Sequence, residues 1–395
     1  MAAFAFLGPV RLVARTQFFR FLAQAFATDD GRRLLAESIR GTHAESRAFS
    51  SLTPYAAEQP YADLGRAAIT PPKHKPIFIT ARFRSGSTML WNVFRHVPEC
   101  RSYYEPLNER RWFDPAIRGE RVDSTHRGVS DYWREYEGLS YLGRWYQQHW
   151  IDRHLYMDAR VWEPNLFEYI EGLIAAAPCR AVLQFNRVDF RVEWLRHYFP
   201  SAVLIHLYRH PREQWCSTFL DGSSFPRTGT VAEFEPHDHF YLLSWARDLA
   251  YQFPSLDPRI ARHPYELFYL IWKLSWVFGT RYSDATFCYE TLCEHPQREL
   301  LRLMRVARVT SYDLGALQAL IGSVPPRRWP AYASADWFEE QEARAEEILV
   351  RALVPHSASP KPIDVDVGRV DAAAGYPVSR VPDVWAVAPL GSRQR

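Results

Sequence analysis

Lys75-Pro76-Ile77-Phe78-Ile79-Thr80-Ala81-Arg82-Phe83-Arg84-Ser85-Gly86-Ser87-Thr88 is an apolar, β-type run that empties into a basic turn of small residues and then a helix-like segment. A strand ending in Ser85-Gly86-Ser87-Thr88 lets several backbone N–H groups and a helix N-terminus point at one anion, while Arg82 and Arg84 add full positive charge. The stretch reads as a phosphate cradle. Against the nucleotide-binding pattern GxxxxGK[ST], Gly86 and Thr88 are in place, but Ala81 replaces the first glycine and Ser87 stands where the lysine belongs. That departs from an ordinary ATPase.

A second cation stands where another strand ends. Ser201-Ala202-Val203-Leu204-Ile205-His206-Leu207-Tyr208 is followed at once by Arg209-His210-Pro211-Arg212-Glu213-Gln214-Trp215-Cys216-Ser217. Pro211 suits the first turn of a helix, which brings Ser217 near the end of the second turn, on a side able to face Arg209. A third segment, residues 286–300, reads as a short strand, a Tyr289-Glu290-Thr291-Leu292 turn and a helix opened by Pro296. Glu290 there suits pairing with an arginine or capping the turn.

In this order the three segments resemble the sulfotransferases that use 3′-phosphoadenylyl sulfate, over roughly residues 73–310 and nearer the carbohydrate-modifying and bacterial branch than the cytosolic one. The resemblance implies an α/β, P-loop-like three-layer fold, with a central, mainly parallel sheet flanked by helices, plus helical insertions. It implies that Arg84, the amides of Ser85, Gly86, Ser87 and Thr88, and the Thr88 hydroxyl hold the 5′-phosphosulfate, with Arg82 adding charge. Arg209 and Ser217 keep the family's residue pair and spacing for the 3′-phosphate. No metal is implied, because arginines and a helix terminus already neutralise the anion.

Glu105-Pro106-Leu107 resembles the segment whose glutamate is the base in carbohydrate sulfotransferases, so Glu105 is the candidate base and Arg84 the catalytic cation. The alternative role for Glu105 is a salt bridge to a phosphate-loop arginine. His96, His126, His149 and His206 are rivals by their near-neutral pKa, none in a recognisable motif. The chain also departs from the cytosolic members. Where they carry a sulfate-contacting lysine and a histidine base, this sequence has Gln184 and Asn186, leaving Arg187 and Arg191 as candidate substrate-binding cations or as ordinary helix-start arginines. Met89 replaces the tryptophan after the loop threonine, so adenine stacking is unassigned, and Arg327-Arg328-Trp329 is a weak stand-in for their C-terminal Lys-Gly segment.

Composition sets the outer bounds. Of 395 residues, 47% are hydrophobic and 24% charged, a globular balance, and no apolar run approaches the roughly 20 residues that span a bilayer. A formal charge of +3 does not point to nucleic acid. Arginine dominates the cations, which suits bidentate phosphate or sulfate recognition. The five cysteines are scattered and never spaced CxxC, so neither a disulfide framework nor a zinc site is expected and a cytoplasmic location is the default. Residues 4–26 mix apolar side chains with Arg11, Arg15 and Arg20, which suits either a helix docked on the protein or peripheral membrane contact.

The chain divides into a helical extension and linker over 1–72, a core over 73–310 and a C-terminal helix and irregular tail over 311–395. Within the core, an aromatic-rich helical insertion at about 110–177 suits a glycan, glycolipid or phenolic acceptor, or simply a core. Helices are expected at 87–97, 192–199, 240–252 and 265–281, and strands at 101–104, 180–185 and 203–208. A sulfotransferase acting on a carbohydrate or other small-molecule hydroxyl is the leading expectation. A P-loop small-molecule kinase would want a magnesium-binding acid at the end of 203–208, where Arg209 stands, and a non-catalytic nucleotide-binding scaffold would not need Glu105.

Overall fold

The computed structural model describes residues 75–353 apart from 124, 125, 127, 221, 222, 324 and 325. The expected helix over 4–26, the linker up to residue 74 and the tail beyond 355 lie outside the described residues.

The five strands are β1 (Ile77–Ala81), β2 (Cys100–Tyr104), β3 (Arg180–Phe185), β4 (Val203–Tyr208) and β5 (Ala285–Cys288). They form one sheet in the order β2-β3-β1-β4-β5, and every pairing is parallel. In register, Ile79 faces Gln184 on one side and Ile205 on the other. Parallel sheets are buried on both faces, and β1 shows how. Its Ile77, Ile79 and Ala81 join a core with Leu90, Val93 and Phe94 of helix α1 (Ser87–Arg95), whereas Phe78 points to the opposite core with Trp194 and Phe199. The period of two thus feeds both layers of helices from one strand.

Eleven α-helices surround the sheet among the described residues. After α1 come α2 (Pro164–Ala176), α3 (Val192–Tyr198), α4 (Pro211–Cys216), α5 (Leu242–Leu249) and α6 (Pro264–Tyr282). Then follow α7 (Tyr289–Glu294), α8 (Pro296–Ala307), α9 (Leu314–Leu320), α10 (Trp329–Tyr332) and α11 (Ala335–Leu353). Proline in the first turn opens α2, α4, α6 and α8, where its missing N–H costs nothing. The α/β architecture expected from the sequence is the one observed. Local boundaries moved: the helix expected over 240–252 is α5, shorter at both ends. Tyr241 precedes it with φ of 62°, and the Asp238 carboxylate accepts the first amides, Leu242 and Leu243, at 2.8 Å each.

The insertion at 110–177 is helical only in pieces. It holds three short 3₁₀ turns, Arg134–Tyr136, Ser140–Arg144 and Gln148–Ile151, before α2. Most of its rings are core: Trp112, Tyr132, Tyr136, Tyr146 and Trp150 are buried against one another and against the sheet. No helix among the described residues is long and apolar enough to cross a membrane.

Candidate active site

All five strands deliver a functional segment to the same, carboxyl-terminal edge of the sheet, and the strand order reverses at β1, the place where α/β sheets bind ligands. Beyond β1 the chain turns through Arg84, whose φ is 64°, and Gly86, whose φ is 91°, into α1. Among the described residues the amides of Gly86, Ser87 and Thr88 meet no protein acceptor, so three donors face outward at a helix start. Gly86 has a steric reason too: a Cβ there would sit 2.2 Å from the Tyr289 ring.

Arg84 and Arg209 come together. The Arg209 guanidinium donates to the Arg84 carbonyl at 3.1 Å, and Arg84 Nε donates to the Ser217 carbonyl at 2.9 Å. Arg209 lies over the Tyr289 ring, 3.8 Å from the Glu290 carboxylate, and among the described residues its Nε has no hydrogen-bond partner. Glu290 also accepts the His210 amide at 3.2 Å, so it both pairs with an arginine and caps a turn. Burial lowers the Arg84 pKa; Asp123, 3.8 Å away, opposes this, and the Arg209 and Arg328 charges add to it. Crowded cations next to free amides favour an anion.

Three expected anion ligands are placed otherwise. Arg82 follows the alternation of β1 onto the face of Phe78 and Thr80. There it is buried over Trp245, 3.6 Å from Asp189, whose other oxygen accepts the Thr80 hydroxyl. It supports the sheet from beneath and does not reach the cradle. Ser85 is closed inward, with both its amide and its hydroxyl on the Arg82 carbonyl. The Ser217 hydroxyl donates to the Gln214 carbonyl at 2.7 Å, so in this conformation it is Ser217's backbone that meets Arg84. The Thr88 hydroxyl shares a hydrogen bond of 3.1 Å with Tyr104.

Glu105 sits on the other side of β1, at the end of β2 and with φ of 36°. It does not bridge to the phosphate loop. One carboxylate oxygen accepts from Asn108 Nδ2 at 2.6 Å and Arg187 at 3.0 Å, the other from Asn186 Nδ2 at 2.5 Å. Gln184 in turn donates to Asn186 at 2.7 Å. The two positions that differ from the cytosolic members therefore form a relay onto Glu105. A carboxylate has about four lone-pair sites; Asn108, Arg187 and Asn186 fill three of them, and the Tyr104 hydroxyl is within reach of the same carboxylate. Tyr104 links the halves, bonded to Thr88 and beside Glu105; burial first, then the Glu105 charge, pushes its pKa well above the usual phenol range.

Arg187 is a structural partner of that carboxylate. It is buried between Glu105 and Glu109, under the rings of Phe83 and Tyr241, and although burial opposes its charge the two glutamates raise its pKa. Arg191 is not at an open surface at all. Its fully buried guanidinium donates to the carbonyls of Trp150, Arg153, His154 and Arg187, tying the insertion to the turn before α3. Of the rival histidines, His206 is sealed in the sheet and His126 contacts Tyr132 and lies 3.8 Å from Asp123 near the cradle mouth. Burial lowers the His126 pKa.

Sequence reasoning missed Asn108, Glu109, Asp123 and Tyr241, which carry no motif, and underweighted Arg328. The Arg328 amide donates to Glu213 at 2.9 Å, which brings this arginine's charge to bear on Arg84. The adjacent arginines at 327 and 328 were the only signal. Among the described residues no group of His, Cys, Asp and Glu is arranged to hold a metal ion.

A parallel sheet with a basic, glycine-containing loop at its switch point, a second arginine after the next strand and a carboxylate across from both is an α/β arrangement suited to an anionic group. Residues 76–259 match the family model described as Sulfotransferase family, which marks that segment as a sulfotransferase domain. Two solved structures are similar to it at 15% identity each. The sulfotransferase STF9 of Mycobacterium avium covers 71% of this chain and 76% of its own, with a TM-score of 0.37. The sulfotransferase STF1 of Mycobacterium tuberculosis H37Rv covers 68% and 76%, with a TM-score of 0.36. No curated protein matches the sequence.

Proposed function

We propose that this enzyme transfers a sulfuryl group from 3′-phosphoadenylyl sulfate to an acceptor hydroxyl, with Glu105 as general base. The observation that carries the reading is the facing of two unlike halves across β1: free amides with Arg84 and Arg209 on one side, and on the other a buried carboxylate held by Asn108, Asn186 and Arg187. The donor supplies the sulfuryl group and a bisphosphate leaving group. Arg84 and the amides of Gly86, Ser87 and Thr88 would hold the 5′ end, and Arg209 the 3′-phosphate, helped by Ser217 once its hydroxyl turns from Gln214. Arg187, Asn108 and Asn186 hold Glu105 in place, and Glu105 takes the proton of the attacking hydroxyl. In-line transfer needs alignment and charge stabilisation more than covalent participation, and this residue set supplies both.

A carbohydrate hydroxyl is the first acceptor class to test, on the likeness of the Glu105-Pro106 segment to the carbohydrate branch. The aromatic insertion adds little to that choice, because its rings are mostly buried. Equilibrium binding separates this reading from a kinase: 3′,5′-adenosine bisphosphate should bind more tightly than ATP with Mg²⁺, and tighter, Mg²⁺-dependent ATP binding would overturn it. Replacing Arg209 with alanine should weaken the bisphosphate about 10–100-fold, the worth of a charge-assisted hydrogen bond. AMP should be affected far less; equal losses count against the 3′-phosphate assignment.

A further inference from the structure

Glu105 is held in a left-handed backbone conformation, φ 36°, that a glutamate does not adopt freely. Such strain persists only where the surroundings over-determine it. Three phenols of the insertion do this on alternate carbonyls of a single run. Tyr136 donates to the Tyr104 carbonyl at 2.9 Å, Tyr169 to the Pro106 carbonyl at 2.7 Å, and Tyr146 to the Asn108 carbonyl at 3.0 Å. They arrive from separate elements: a 3₁₀ turn, α2, and the link before Gln148–Ile151. All three rings are buried and pack edge to face with one another or with Phe113 and Tyr103. Burial raises each phenol's pKa, so each stays a donor throughout the working pH range.

We infer that Tyr136, Tyr146 and Tyr169 are positioning residues for catalysis, clamping the 104–108 backbone so that the strained Glu105 presents its carboxylate to the acceptor. The aromatic insertion then serves the base and not as a sugar-stacking platform. The inference rests on the general-base reading of Glu105. A tyrosine-to-phenylalanine change keeps the ring and its packing and removes only the donor, so it isolates the clamp from the core.

The test compares Tyr136→Phe/Tyr169→Phe with Glu105→Gln and the parent enzyme. Sulfate transfer is followed from labelled 3′-phosphoadenylyl sulfate into the carbohydrate fraction of a cell extract, alongside calorimetric binding of 3′,5′-adenosine bisphosphate and amide hydrogen exchange over residues 103–109. The double variant should lose about 10²-fold in turnover, the size expected from a displacement of the order of 1 Å in a catalytic group. Bisphosphate affinity should stay within about twofold, and exchange at 103–109 should rise at least about tenfold. Unchanged exchange there, or turnover within about twofold while Glu105→Gln is inactive, overturns the clamp and leaves the base reading standing. Full activity of Glu105→Gln instead removes the base reading, and the clamp's catalytic role with it. Exchange is measured without any acceptor, so it decides whether the clamp exists even if no fraction takes up sulfate.

Discussion

Gly86 shows how much one position can be asked to do. Its φ of 91° lies in the region that favours glycine, and the Tyr289 ring occupies the space a side chain would need. Gly86→Ala therefore meets two penalties, and we expect a loss of about 1–3 kcal/mol of stability together with weakened bisphosphate binding. Thermal unfolding and calorimetry check both; a variant that melts and binds like the parent would mean the ring yields freely. Adding Tyr289→Ala should restore part of the stability but not the binding, because φ is still wrong. At this scale the sequence was readable where a residue announces its chemistry by its neighbours. Arg84, Gly86 and Arg209 fall together at the sheet edge as their motifs suggested. Arg82 did not, although the signal was present: it alternates with Ala81 and so belongs to the Phe78 face. Arg191 was opaque, because three of its four carbonyl partners, on Trp150, Arg153 and His154, lie about forty positions away in chain and nothing local marks them.

Strand β4 carries a second kind of constraint in His206. Its ring is fully buried, and a Cβ on Gly279 of α6 would meet it at 2.4 Å. Burial drives its pKa from 6.5 to about 3. The folded state thus favours the neutral ring, while the unfolded chain takes up a proton below its ordinary pKa. Stability from this residue is complete above about pH 6.5 and falls as the pH drops toward 3, at about 1.4 kcal/mol per pH unit for one proton. His210 and His263, both lowered to about 4, act in the same direction, and Asp189, raised to about 6, acts against them. The difference between variants isolates the term. His206→Leu should show a shallower loss of stability between pH 6.5 and 4 by about one proton's worth in denaturant unfolding, and parallel curves would refute the assignment. Strands such as β3 and β4 were legible to the residue because they are short, apolar and bounded by turn signals. The insertion was not: its aromatic richness resembles helix, but its rings are arranged around the sheet in 3₁₀ turns set by long-range packing.

The molecule as a whole extends beyond the segment that matches the family, which ends at residue 259. Helix α11 lies along α6, with Glu342 accepting from Arg212 and Tyr265, and Glu346 bonded to Lys273 at 2.7 Å and Tyr269 at 2.8 Å. Phe338 and Leu349 fill the core between them. Ending the chain at residue 328 would uncover that core and leave Lys273 buried without its partner. An uncompensated buried charge costs several kcal/mol, so the shortened protein should aggregate or unfold cooperatively at much lower temperature, as scattering and melting would show. A shortened chain that melts like the parent would make α11 an accessory. The sheet order has one more consequence, in terms of descent. On the proposed reading, most of what would grip the donor hangs from β1, β4 and β5, and most of what would aim the base hangs from β2, β3 and the insertion. The two halves meet along β1 but draw on different stretches of chain. Substitutions within 99–191 that spare the core, Tyr104 and Asp123 would then alter the acceptor side while leaving the donor side in place, so one scaffold could diversify its products without relearning its chemistry.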